Sequence, residues 1–335
     1  MKFEKLEEGI VSELSSLYRQ YGYKRYKPSS FEEFSLYQEN KDFLISKNVI
    51  TFSDLSGKLM AMRPDITLSL VKHRDVVKGD TEKYFYCEKV YRQAAGSRNY
   101  KEISQTGVEV IGAIDGAVVA ELTILICKTL SSISSDFILD VSHMGFIQGF
   151  LNEFGSNSFE VAKLLKSKNL HDFSALAKKR GFSESRIAAF KIAVTEGSKP
   201  EQALKEAEQA VLNQEMQHAV EELRNLFVIL DKFGYGDKIN INFSAVNNAD
   251  YYNGIIFNGY IKGVPHCVLT GGRYDKLLQK MGKAGGAIGF ALYLGEIERY
   301  LSKESEIVDY LIIYNGKTQF KALELAQSKM AEGYA

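Results

Sequence analysis

Leu6, Ile10, Leu14, Leu17 and Tyr18 recur at helical spacing and give an opening amphipathic helix one apolar face. The pattern predicts that this helix ends near Gly22, before extended segments around Thr51. Arg63-Pro64-Asp65 then introduces an apolar-periodic run reaching His73, which places Asp65 where an N-cap carboxylate belongs. Capping does not exclude ligand contact. From Tyr84 to Gly112 two β-rich runs flank the polar loop AAGSRNYK and read as an antiparallel pair. A helix is expected over 116–130 and a strand over 137–141.

From about residue 150 to Gly234 the pattern is helical, with short breaks and no convincing strand. Ser198 with Glu201 has the form of a capping box, and Pro200 suits a first helical turn, where its missing N–H costs little. Val220, Leu223, Phe227 and Leu230 form a stripe best read as a packing face. After Lys238 β character returns in KININ, GIIFNGYI and HCVLTGG, and the Gly-rich stretch GKAGGAIGFALYLGEIERYL leads into a helix. The tail reads as a strand, LIIYN, and then a helix. The expected organisation is one β-rich core from 1–150 and 236–305, a helical insertion at 151–235, and a short strand–helix tail at 306–335.

Composition narrows the function. The 335 residues, 45% of them hydrophobic, are enough to bury a substantial core. Lys+Arg and Asp+Glu both count 42, which argues against binding nucleic acid through bulk positive charge. Three scattered cysteines and the lack of any long apolar run fit reduced thiols in a soluble, cytoplasmic protein with no membrane association. The five histidines show no metal-ligand spacing, and neither a P-loop nor GxGxxG after a strand is present, so no metal or cofactor is expected. The acidic pair and Thr/Gly-rich loop that bind phosphoribosyl pyrophosphate are also missing.

Candidate chemistry sits in a few places. Alternation along the strand around Gln105 puts Gln105, Gly107, Glu109 and Ile111 on one face, so an amide and a carboxylate flank a glycine. A glycine inside a strand often marks a close ligand approach; a partly solvated sheet face is the plainer alternative. Tyr251 and Tyr252, adjacent in an expected strand, would point to opposite faces. Arg92 ends the first strand of the pair and reads most simply as half of a surface ion pair. GGRYD, Gly271 to Asp275, joins a turn to an arginine and an acid.

Taken in order, MRPDIT, VYRQ…ISQTGVEVIG, NNADYYNGIIF, GGRYDKL and AIGFALYLG resemble the class II synthetase core, specifically the histidyl-tRNA synthetase family. The resemblance runs over about residues 5–300 apart from the helical insertion. It implies an α+β fold: a six- or seven-stranded antiparallel sheet flanked by helices, in a homodimer. It further implies that Asp65 (glutamate in the family), Gln105 and Tyr252 hold the α-amino group of histidine, while Glu109 with a tyrosine hydroxyl reads the imidazole. Thr67, Arg92, Tyr100, Tyr251 and Arg273 are further candidates for the same pocket.

The departures fall on the nucleotide side. Asn247 stands where the family has its catalytic arginine, although Asp250 and the paired tyrosines persist. Arg92 is followed by Gln93 and Ala94 rather than by the adenine-contacting glutamate two residues on. Tyr293-Leu294-Gly295-Glu296 replaces Gly-Leu-Glu-Arg, with Arg299 three residues later. Phosphoryl-type transition states depend on positioned positive charge, and losing one donor typically costs roughly 10²–10³ in rate. These features, and RPD in place of RPE, resemble the regulatory-subunit family of ATP phosphoribosyltransferase. That resemblance implies a non-catalytic partner of a short-form catalytic subunit in a hetero-octamer. It also implies a role in the first step of histidine biosynthesis, feedback inhibition by histidine as effector, and no tRNA binding. An amino-acid-activating enzyme using Arg92, Arg98 and Arg273 for phosphate charge, and a scaffold that binds no amino acid, are the alternatives.

Overall fold

A computed structural model describes residues 2–44, 48–75, 79–93, 99–244, 251–301 and 309–334, without the side chains of 2–6 and 298–301. Asn247, Asp250, Ala94 and Arg98 lie outside the described residues, as does the side chain of Arg299. The chain divides into two compact units, 1–298 and 299–335.

The first unit opens with α1 (Lys2–Gln20). Gly22 turns the chain there with φ +83°, and its N–H donates to Arg19 O at 2.9 Å. β1 (Lys24–Arg25), β2 (Phe31–Glu33), α2 (Phe34–Glu39), β3 (Thr51–Ser53), β4 (Leu59–Met62) and α3 (Thr67–His73) follow. Two long strands come next, β5 (Thr81–Gln93) and β6 (Tyr100–Gly112), then α4 (Gly116–Ser131), β7 (Phe137–His143) and α5 (Met144–Asn152). The helical stretch comprises α6 (Ser158–Lys166), α7 (Leu170–Arg180), α8 (Glu184–Val194), α9 (Pro200–Gln209) and α10 (Gln214–Lys232). β8 (Ile239–Ile241), β9 (Ile255–Ile261), β10 (Leu269–Arg273), α11 (Asp275–Lys280), β11 (Gly286–Tyr293) and the first part of α12 (Leu294–Leu301) complete it. In the second unit the described residues form α13 (Gln319–Ala331).

Eight strands make the main sheet, in the order β1-β5-β6-β11-β10-β9-β7-β8. The long interior pairings are antiparallel, as the resemblance implied, but the short edge pairs β1–β5 and β7–β8 are parallel. β2, β4 and β3 form a separate small sheet. One face of the main sheet packs on α1 and α4. There Tyr18 is fully buried, its hydroxyl is 3.2 Å from Thr129 Oγ1, and its ring meets Phe85 and Phe290. The other face carries Tyr84, Tyr86, Ile111 and Ala287, which form one core with Leu68 and Leu70 of α3 and Leu277 and Leu278 of α11.

Several expectations are corrected. The Gly-rich stretch contains a central strand, β11, paired with β6 on one side and β10 on the other. Its glycines obscured the strand because each stands where a neighbouring side chain or backbone comes close, as described below. Ser198 does not cap a helix. Lys199 holds the N-cap position without a side-chain bond, and Ser198 bridges backbone to backbone with Ile241 at 3.0–3.2 Å, which removes it from the helix start. Pro200 does occupy the first turn. LIIYN forms no strand among the described residues: Leu311, Ile313 and Tyr314 are exposed, and no described neighbour pairs with their backbone.

Candidate binding pocket on the tyrosine-rich face of the sheet

Antiparallel pairing in register fixes which side chains share the pocket. Glu109 of β6 lies opposite Tyr84 of β5 and Gly289 of β11, and Gly107 lies between Tyr86 and Ala291. A Cβ at Gly289 would overlap Glu109 Oε2, so this glycine gives the carboxylate its space. Over Gly107 the protein's own Tyr86 hydroxyl sits 2.6 Å from where a Cβ would stand. Gly107 therefore makes room for the protein's own tyrosine and for the backbone of Phe290.

Glu109 is 3% exposed. Its Oε1 accepts from Thr67 Oγ1 at 2.7 Å, and its Oε2 accepts from the Tyr274 hydroxyl. Burial pushes its carboxyl up to about 8, against these two donors, and the nearby Asp65 charge adds to the rise. Asp65 is also buried and also raised, chiefly by loss of hydration. Arg92 and backbone N–H groups oppose that rise: Asp65 Oδ1 accepts from Leu68 N at 2.9 Å, and Oδ2 lies 3.7 Å from Arg92 Nη2. Asp65 thus does cap α3, from one position before the formal N-cap residue Ile66. Arg92 is not a surface residue. It is 7% exposed, and its Nε donates to Pro64 O at 2.7 Å. Two buried carboxylates that act on one another through charge are under-compensated, and a cation placed beside them would relieve the desolvation cost.

Gln105, two side chains along the same face of β6, is 3% exposed, and its Nε2 has no partner among the described residues. An unmade hydrogen bond from a buried amide costs about 1–3 kcal/mol. Tyr251 and Tyr252 lie in a turn, not a strand, so they do not point to opposite faces. Their rings meet edge-on at 4.7 Å, and both pack against the α3 and α11 core. Both hydroxyls are pushed well above the usual range, first by burial and then by neighbours that include Asp65 and Glu109. Tyr252 lies over Gly272, where a Cβ would come within 2.7 Å of its ring.

Asp65, Thr67, Arg92, Glu109, Tyr251 and Tyr252 therefore share one buried neighbourhood, with Gln105 along the strand. Two candidates do not join it. Tyr100 is 50% exposed and stands on the opposite face of β6, by alternation from Gln105. Arg273, in register with Ile288 and Val110, faces α4 and α10 instead. Sequence reasoning missed Tyr274, the tyrosine of GGRYD, and Tyr86. Register across β5–β6–β11 was the only route to Tyr86, whereas the GGRYD motif was a visible signal for Tyr274.

A family model described as histidyl-tRNA synthetase matches residues 2–297. An ATP phosphoribosyltransferase regulatory subunit from Ruminiclostridium cellulolyticum is 26% identical over 333 residues, covering 95% of this chain and 79% of that one. Another from Caldanaerobacter subterraneus subsp. tengcongensis is 29% identical over 313 residues, covering 90% and 80%. Among solved structures, an ATP phosphoribosyltransferase regulatory subunit/histidyl-tRNA synthetase from Bacillus halodurans aligns with TM-score 0.78 at 22% identity, covering 100% of this chain and 88% of that one. The ATP phosphoribosyl transferase complex from Thermotoga maritima aligns with TM-score 0.69 at 19% identity, covering 86% and 97%. The structural likenesses establish the fold, and the family model spans nearly the whole first unit. The chain belongs to the histidyl-tRNA synthetase family.

Proposed function

We propose that this chain is a non-catalytic regulatory subunit of ATP phosphoribosyltransferase, the enzyme of the first step of histidine biosynthesis, and that it binds histidine in the Glu109 pocket. The observation that carries the reading is the charge imbalance there. Glu109 and Asp65 are two buried, raised carboxylates, only Asp65 has an arginine at 3.7 Å, and Gln105 keeps a buried donor unpaired. Histidine supplies what those groups lack: an ammonium group, a ring N–H and acceptors. Glu109 would take the ring N–H, steadied by Thr67 and Tyr274. Asp65, Gln105 and Tyr252 would take the amino end.

Among the described residues, Arg63 and Arg92 beside this pocket are already committed, which supports a non-catalytic role. Arg63 donates to Pro28 O, Ser29 O and Lys89 O at 2.6–3.2 Å, and Arg92 holds Pro64 O and Asp65. Glu296, half-buried at the start of α12, adds a negative charge where the family resemblance expects an arginine. In this reading the partner is a short-form catalytic subunit, which needs this chain for activity and receives histidine feedback through it. The homodimer through the core, the cytoplasmic setting and the division into core and helical insertion belong to the same proposal. Among the described residues no helix is long and apolar enough to cross a membrane.

The experiment is co-purification with a short ATP phosphoribosyltransferase, followed by its activity at rising histidine for wild type and Glu109→Gln. Activation by both chains, with inhibition only for wild type, is expected. Failure to activate removes the regulatory role, and unchanged inhibition in the variant removes the pocket. Histidine-dependent ATP–pyrophosphate exchange comparable to that of a synthetase would overturn the non-catalytic assignment.

A further inference from the structure

Arg273 leaves the Glu109 pocket for a second cavity on the opposite face of the sheet. This cavity, about 320 Å³, lies between α4, α10 and the β9–β10 end of the sheet. Its volume is that of a small-ligand pocket. Val119, Leu226 and Ile255 give it apolar walls, and Arg273, Glu222 and Asn225 supply polar groups.

The polar groups are held in place yet keep free valences. Arg273 Nε donates to Asp275 Oδ2 at 2.8 Å, which fixes the guanidinium plane, and Asp275 is itself anchored by Ala287 N at 2.9 Å and Asn253 Nδ2 at 3.2 Å. The Arg273 Nη atoms bond to nothing among the described residues. Glu222 Oε2 accepts from His143 Nε2 at 2.6 Å, while His143 Nδ1 accepts from Gly145 N at 3.0 Å, an arrangement that orients the ring and its partner. Among the described residues, Glu222 Oε1 accepts no hydrogen bond, and His218 Nδ1 lies 3.9 Å from it. Arg273 is the deeper of the two charges, with its side chain 29% exposed against 45% for Glu222.

A forked cation with free donors, an oriented carboxylate nearer the mouth and an aliphatic wall together select a zwitterion with an apolar body. A bare phosphate would meet Glu222 and the exposed Asp115 at the rim. We propose that this cavity is a second small-molecule site, which takes a free amino acid with an apolar side chain. Its carboxylate lies across the Nη atoms of Arg273, its ammonium at Glu222 and Asn225, and its side chain on Val119, Leu226 and Ile255. The site is independent of the histidine reading, since none of these residues touches Glu109.

The test is calorimetric titration of the full chain carrying Glu109→Gln, so that the first pocket is disabled, with L-leucine, L-methionine and L-phenylalanine. At least one is expected to bind at millimolar concentration or below. Adding Arg273→Gln is expected to weaken that binding roughly tenfold or more, by loss of a charge-assisted fork. Val119→Phe, which fills the cavity from α4 and alters no charge, is expected to abolish it. The N-acetyl and amide derivatives of the binding amino acid are expected to fail. Silence from all three amino acids at millimolar concentration overturns the proposal. Binding that survives Val119→Phe, or that a derivative lacking the ammonium or the carboxylate reproduces, overturns it as well.

Discussion

Glu109→Gln isolates the ionisation on which the candidate pocket depends. The carboxamide is isosteric: its oxygen accepts from one of the Thr67 and Tyr274 hydroxyls, and its NH₂ donates to the oxygen of the other, so packing survives. In the wild type the Glu109 carboxyl rises from its ordinary 4.5 to about 8, mainly through burial. Between those two values the folded chain holds a proton that the unfolded chain has lost. Its stability therefore falls as pH rises through that window and levels off above the folded value. The slope for one such group is roughly 1.4 kcal/mol per pH unit, and across the whole window it amounts to at most roughly 5 kcal/mol. The glutamine variant lacks this component, and contributions from every other titrating group cancel in the difference between the two proteins. Urea unfolding from about pH 5 to pH 9 is the assay. The variant's stability relative to wild type is expected to climb steadily up to about pH 8 and then stay constant. A difference that is flat across this range would refute the claim that Glu109 is buried and uncompensated. Saturating histidine, by supplying a cation, is expected to shrink the climb in the wild type.

Gln105→Leu removes a buried, unpaired donor. Stability is expected to hold or rise by about 1–2 kcal/mol in urea unfolding, while calorimetry shows histidine binding weakened roughly tenfold or more. Tyr274→Phe strips one donor from Glu109 and is expected to cost about 1–3 kcal/mol of stability, with a further upward shift of the Glu109 titration seen by carbon NMR of labelled glutamate. Gly289→Ala drives a methyl into Glu109 Oε2 and is expected to lower stability by about 1–3 kcal/mol and to remove histidine binding. Asp115→Ala removes the acceptor that holds Val118 N at 2.9 Å at the start of α4. It is expected to cost about 1 kcal/mol without affecting histidine binding.

Sequence and structure divide these results along a physical line. Period-two alternation was enough to put Gln105, Gly107 and Glu109 on one face of β6, because a strand has no other way to orient successive side chains. Helical periodicity likewise gave α1, α4 and the helical character of 151–235, and of its packing stripe Val220, Leu223 and Leu230 are buried while Phe227 is half-buried. The ordered motifs sufficed for the family. Each of these inferences concerns residues close in sequence, or a pattern that local geometry reads directly.

The rest depended on distant residues being brought together. β11 escaped notice because its glycines make room for groups on other elements: Gly289 for Glu109 of β6, and Gly286 for Asp275 at the start of α11. Adjacency suggested that Tyr251 and Tyr252 diverge, but the turn that carries them brings their rings together at 4.7 Å. Arg92 looked like half of a surface pair until β5 carried it beneath Pro64, and Arg273 looked like a pocket residue until register with Ile288 turned it to the helical face. Above all, the raised Glu109 carboxyl belongs to no motif. Desolvation is a property of everything packed around a group, and only the folded chain specifies that.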